Sequence, residues 1–419
     1  MRSVTRNMEH KRTSFFLRLL TLMSLAGCTP ENPPPAQQPT LHGESILSAD
    51  ETWRAADNPH IVTGPLTVGG TKTPTLTLEA GVVVRFEPNA SLSIGVSPNH
   101  PGELRVEGTE NAPVLLTARS DNPQPGHWKG VMVGDYSSDA SRLAHVTIEY
   151  ATGVIEREHC VQGSLTVGAT PRTPHAFAVA DHVTVQKSRE CGVVMYGDLG
   201  PGSTRLIARD NGGVAISVEA DSVGSIPENS LMSGNALDAV QVHAGAIWKT
   251  QTWPRLGVPY LVEQLSIYDV DAALTLPPGT ELHMRPEAII GIYGVGRLIA
   301  QGEAQAPIRF VPDTTTPSKE HWKGLMLVAS SQSRLDHVLI SHAGSTTTGS
   351  LFVAPAHDGT PGPFVTHSTF RDSVGCGITT STSSTGVPLD YTLAEYGNTF
   401  LDNELGAQCY RTEEPGDGD

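Results

Sequence analysis

The strongest constraint on the fold of this chain is that most of its sequence is written twice. "TWRAADNPHIV" from Thr52 aligns with "TWPRLGVPYLV" from Thr252, setting Trp53 over Trp253 and Pro59 over Pro259. "LTLEAGVVVRFEP" faces "LTLPPGTELHMRP", with Gly81 over Gly279, and Gly108 and Pro113 then fall over Gly302 and Pro307. "HWKG" occurs in both copies, as Trp128 and Gly130 and as Trp322 and Gly324. "RLAHVTI" and "RLDHVLI" follow, with His145 over His337. The order is kept over roughly 190 residues, and self-similarity of that length has to be read before any single motif. It predicts a first half over residues 51–245 and a second over 246–410. Four of the five tryptophans are marks of this duplication, so Trp128 and Trp322 are expected as matched, buried packing residues at the starts of equivalent strands.

Within each half, short apolar runs such as "LTLE", "VVVRF", "ELRVEG" and "HVTIEY" alternate with Gly, Pro, Asn or Asp. No segment holds a helical period over three turns, so the chain reads as all-β. A finer template pairs an apolar residue with a small or polar one three positions on: Ile148 and Ala151, Val185 and Ser188, Ala208 and Asn211, then Ile340 and Ala343, Phe370 and Ser373, Phe400 and Asn403. Successive marks lie 37, 23, 30 and 30 residues apart, the length of one solenoid coil with loops of variable size. The succession Trp, Leu-Thr-Leu-x-x-Gly, Gly-x-Leu-x-x-x-Gly, Trp-x-Gly and "RLxHVxI" resembles the bacterial right-handed parallel β-helix repeat proteins of the pectin-lyase-like fold group. That resemblance covers about residues 50–410. It implies an all-β, internally duplicated right-handed parallel β-helix. It implies no particular activity, since that fold carries lyases, hydrolases, adhesins and passive surface proteins alike.

The amino terminus reads as an export signal over residues 1–27: a basic stretch to Arg18, an apolar core over Leu19–Leu25, then small residues. Leu25-Ala26-Gly27-Cys28 resembles the lipobox of bacterial lipoproteins, which implies lipidation of Cys28 and anchoring by its acyl chains. Thr29 stands where that class carries an inner-membrane retention Asp, which favours the outer membrane. The proline-rich residues 28–50 read as a stiff tether. Residues 411–419 read as a disordered acidic tail. Without residues 1–27 the chain has 23 basic against 43 acidic side chains, a balance that disfavours nucleic acid. The expected partners are the membrane, through Cys28, and a polysaccharide or envelope protein.

Four cysteines remain, and four allow three connectivities. Cys160 with Cys191 and Cys376 with Cys409 stand out, because each pair is about one coil apart, which places the two Cα atoms within disulfide reach. Their spacing suits no metal site, and no cofactor is expected. Asn-Thr-Asp, Asp-Asp, Gly-His-Gly and Arg-Ile-Lys elements, which the resemblance associates with the hydrolases of this fold, do not occur. Asp269 and Asp271 are the nearest thing to a carboxylate pair. His127 with Lys129 and His321 with Lys323 have acid–base chemistry, but their duplication favours a packing role. The expected function is a non-enzymatic, lipid-anchored binding, adhesion or assembly module. A polysaccharide lyase or glycoside hydrolase, and a passive surface protein, are the alternatives.

Overall fold

A computed structural model describes residues 38–156, 159–169, 176–268, 272–330, 332–354, 364–381 and 389–411. Cys28, Asp269 and Asp271 lie outside these residues. The chain is a right-handed parallel β-helix. A typical coil contributes three short strands, here termed a, b and c in chain order. One first-half coil runs Thr75–Leu78, Val83–Phe86, Ser91–Ile94; one second-half coil runs Ala273–Leu276, the first part of Glu281–Tyr293, then its last part. Strands of successive coils pair in parallel, as in Leu92 with Val131 and Val131 with Leu165. The coils therefore climb by about 4.8 Å each. Alternate side chains turn inward and form one continuous core that includes Trp53, Phe86, Trp128, Trp253, Phe310, Trp322 and Phe370.

Left-handed residues bend many of the coils at their two corners. At the a/b corner, His145, His182, His337 and His367 have φ between 44° and 56°. At the b/c corner, Tyr150, Lys187, Asp210, His342, Asp372 and Asp402 have φ between 54° and 61°. Each of these lies between the two members of the sequence template. The polar member then closes the turn of its neighbour one coil below: Asn211 Oδ1 accepts from Ser188 N at 3.0 Å, and Asn403 Oδ1 from Ser373 N at 3.1 Å. These side chains supply acceptors that the bent backbone lacks.

The solenoid begins earlier than the tether expected over residues 28–50 allows. Thr40–His42 pairs with His60–Val62, and Ser45–Leu47 with Leu66–Val68. Leu41 and Ile46 remain exposed, so these end strands lack the buried alternation by which a strand is read from sequence. Their anchor is aromatic: the His42 ring stacks on Trp53 at 3.9 Å, and Trp53 stacks on His60 at 5.0 Å. At the other end Arg411 closes strand Gln408–Arg411 and is not part of a tail.

The halves join without a break but out of phase. Tyr260 is the counterpart of His60, which begins a b strand. Yet Tyr260–Val262 pairs with Val240–Val242 of the preceding c face. The c face of the second half starts afresh from Gly245–Ile247, paired with Leu265–Ile267; this strand straddles the expected boundary at 245/246. Equivalent faces of the two halves therefore do not lie above one another.

Candidate functional site

Trp128 and Trp322 are 1% and 0% exposed. Their indole Nε1 atoms donate to Glu149 O and Ser341 O, both at 2.9 Å, and their backbones bridge to Ala151 and Ala343. Gly130 and Gly324 follow at φ 99° and 96°, and a Cβ on either would meet a carbonyl oxygen of the next coil at 2.6 Å. Glycine is required there by both conformation and space. His321 Nε2 bonds Asp313 at 2.9 Å and Lys323 pairs with Glu287 at 2.6 Å. His127 Nε2 is buried without a partner among the described residues. Neither histidine is hydrogen-bonded to its neighbouring lysine among the described residues, so the duplicated "HWKG" is a packing mark. The disulfides are Cys160–Cys191 and Cys376–Cys409, with Cα separations of 6.2 and 5.9 Å.

The first disulfide does more than join coils. Cys160 lies in a hairpin of Val154–Glu156 and His159–Gln162 that leaves the b/c corner. The hairpin covers Val194, Val214, Ala239 and Leu261 in a small apolar cluster with both cysteines. These belong to the outward side of the c face, which strands of the second half continue. The edge of the covered region carries one polar side chain per coil: Tyr196, Glu219, His243, Glu263 and Arg285, aligned by the strand register.

These groups are mutually bonded. His243 Nδ1 lies 3.0 Å from Glu219 Oε1, and His243 Nε2 lies 2.6 Å from the buried Ser217 Oγ. His159 reaches down from the hairpin to Glu263 at 3.4 Å, and Arg285 approaches the same carboxylate at 3.5 Å. Tyr196 donates its hydroxyl to Val161 O of the hairpin at 3.0 Å. Burial raises the Tyr196 pKa, and Glu219 and Glu156 add to the effect, so the phenol stays a donor at neutral pH. The side chains of Glu219, His243, Glu263, Arg285 and His159 are 12–32% exposed. They are held in place yet still reach solvent. Sequence reasoning missed this row because its members come from five different coils and share no local motif.

His145 and His337 belong to a second arrangement. Each stacks on the corner histidine one coil above, His145 on His182 at 4.6 Å and His337 on His367 at 4.9 Å. A carboxylate attends each pair. Asp181 Oδ1 accepts from Thr204 at 2.7 Å and His182 Nδ1 at 2.8 Å, and Arg142 pairs with its other oxygen. The hydrogen bond from Thr204 is the main cause holding Asp181 below the usual carboxylate range. Asp336 instead faces both imidazoles, with Nδ1 of His367 at 2.8 Å, Nδ1 of His337 at 3.1 Å and the Thr366 hydroxyl at 2.7 Å. Partial burial by itself would raise its pKa, and these hydrogen bonds outweigh that and lower it.

Trp248 and Tyr268 are exposed and form a ladder with Tyr293, at 6.2 and 4.9 Å between rings. Within the ladder Trp248 and Tyr268 remain 43% and 49% exposed.

Residues 46–152 match the family described as pectate-lyase like beta helix domain. Such a domain is therefore present in the first half. No curated protein and no solved structure matches the chain.

Proposed function

We propose that this chain is an exported, lipid-anchored envelope protein whose β-helix binds a polysaccharide along the row Tyr196, Glu219, His243, Glu263 and Arg285. The observation that carries the reading is the row itself. Hydrogen-bonding side chains recur at one per coil, fixed by mutual bonds and left partly open to solvent beside the hairpin. Acids and bases alternate, so donors and acceptors face outward together. That suits a hydroxyl-rich, largely neutral chain; the strongly acidic protein would repel a polyanion. Cys28 would hold the solenoid at the outer membrane, in keeping with the export signal and proline-rich segment.

Binding of the detergent-solubilised protein to a panel of neutral and anionic glycans tests this. The expected result is affinity for a neutral glycan that falls at least tenfold in His243→Ala and Glu263→Gln. Binding to none of the panel, or binding indifferent to both substitutions, refutes it. Radiolabelled palmitate incorporation that persists in Cys28→Ala would refute the anchor.

A second reading rests on Ser217. Its contact with His243 Nε2, and that of His243 Nδ1 with Glu219, have the geometry of a nucleophile, its base and an orienting carboxylate. Ser217 is 0% exposed, so acyl hydrolysis there requires the hairpin to lift. Labelling of Ser217 by a fluorophosphonate after reduction of Cys160–Cys191, and its loss in His243→Ala, would favour hydrolysis over binding alone.

A further inference from the structure

We propose that Asp336, His337 and His367 form a binding site for a divalent transition-metal ion of the zinc, nickel or copper class. The left-handed corners of two successive coils bring the two imidazoles together, and Asp336 lies one residue before the lower of them. One donor atom from each of the three residues lies within 4.8 Å of the other two. The contacts that matter are shorter. Asp336 Oδ1 is 2.8 Å from His367 Nδ1, and Asp336 Oδ2 is 3.1 Å from His337 Nδ1.

Ligand atoms at about 2.0–2.2 Å from one ion, on adjacent vertices of its coordination shell, are about 3 Å apart. The carboxylate–imidazole distances already have that value. An ion entering here would take the Nδ1 lone pairs of neutral rings that carry their single proton on Nε2, with small rotations of the side chains. Two imidazoles and one carboxylate select for zinc, nickel or copper rather than calcium, which takes six or more oxygens.

Two further features support the assignment. First, neither Nε2 atom of His337 or His367 has a hydrogen-bond partner among the described residues, so each can carry the ring proton while Nδ1 faces the ion. Second, an open cavity of ≈ 280 Å³, lined by Gln301, Arg334, Asp336, Phe364 and Thr366, adjoins the carboxylate. It gives solvent access to the Asp336 side of the cluster. The matching corner in the first half also gathers His145, Asp181 and His182. There the Arg142 guanidinium already pairs with Asp181 and sets a positive charge where the ion would sit.

The test uses the full chain without a polyhistidine tag, stripped with chelator, and titrated with Zn²⁺ and with Ni²⁺ by calorimetry. The expected result is one tight ion per chain, with affinity falling at least 100-fold in His337→Ala and in His367→Ala and unchanged in His100→Ala. Calcium should not compete. Because His367 is exposed, its variant should keep the parent circular dichroism and melting curve, which separates loss of the site from loss of the fold. Binding of Cu²⁺ should show two-nitrogen hyperfine coupling in its electron paramagnetic resonance spectrum. No binding at 100 µM metal (a concentration of about that order is ample for such a donor set), or binding equal in all four proteins, overturns the proposal.

Discussion

The a/b corner of the first half and that of the second are built from the same pair of stacked histidines, yet they treat their carboxylate differently. In the first half Ala144 precedes His145, and Asp181 enters one coil higher, where Arg142 and Thr204 engage it. In the second half Asp336 sits on the lower coil and Thr366 on the upper, and the carboxylate spans both imidazoles. Moving one acid by one coil thus exchanges a carboxylate paired with arginine for one that bonds both imidazoles. Duplication preserved the packing marks and let the surface chemistry diverge.

The largest expected effects compare the buried tryptophans. Trp128→Ala and Trp322→Ala should each destabilise by about 3–5 kcal/mol, the usual range for emptying an aromatic site in a core. Phe86 lies 3.8 Å from Trp128 and nearly parallel, whereas Phe310 is 6.5 Å from Trp322. Close aromatic pairs add about 0.5–1.5 kcal/mol beyond their buried area, so the first-half variant should lose more. Equal urea midpoint shifts would show that the difference in ring contact carries no energy.

The disulfides differ in what they restrain. Cys160→Ser with Cys191→Ser should cost about 2–4 kcal/mol and expose the Val154–Gln162 hairpin to limited proteolysis while the coils stay intact. Cys376→Ser with Cys409→Ser should cost a similar amount, but loosen the last coils themselves. Hydrogen exchange resolves the two cases, and protection lost from the same segment in both would contradict the distinction.

Acid sensitivity should be greater at the amino-terminal end than at the carboxy-terminal end. Burial lowers the His42 pKa to about 4, against an opposing pull from Glu51 and with help from His60. An unfolded histidine takes up its proton near pH 6.5. Between about pH 6.5 and 4 the unfolded chain therefore binds more protons, and stability falls as pH falls through that window. His42→Phe keeps a ring against Trp53 and removes the titration. Its melting temperature should drop less between pH 7 and pH 4.5 than that of the parent protein; an identical drop would exclude His42 as a contributor.

The smallest effect concerns Arg142. Its pair with Asp181 is solvent-exposed on the arginine side, and such pairs contribute about 0–1 kcal/mol. Arg142→Ala should therefore barely change stability, but it should make the first corner resemble the second and add weak metal binding, measurable by the same titration.

Much of the architecture was legible in the residues. Paired marks such as Trp128 and Trp322 expose the duplication, and the spacing of Val185, Ala208, Phe370 and Phe400 gives the coil length. The cysteine separations match one coil because each bridge joins neighbouring turns. Asp336 with His337 was visible as a dipeptide, but nothing near it announces His367, whose meaning comes only from stacking one coil above. The row from Tyr196 to Arg285 was invisible for the same reason, and the hairpin that borders it interrupts a coil without any repeat of its own.

Sequence alone determined that this chain stacks short strands into a duplicated solenoid, because inward apolar periodicity and turn residues are local. Only the tertiary structure decided how the halves meet. A parallel ladder needs a partner for each N–H and C=O and does not read side chains, so Tyr260–Val262 could continue a c face although its counterpart lies on a b face. That choice of phase set which polar groups line up along the outer surface.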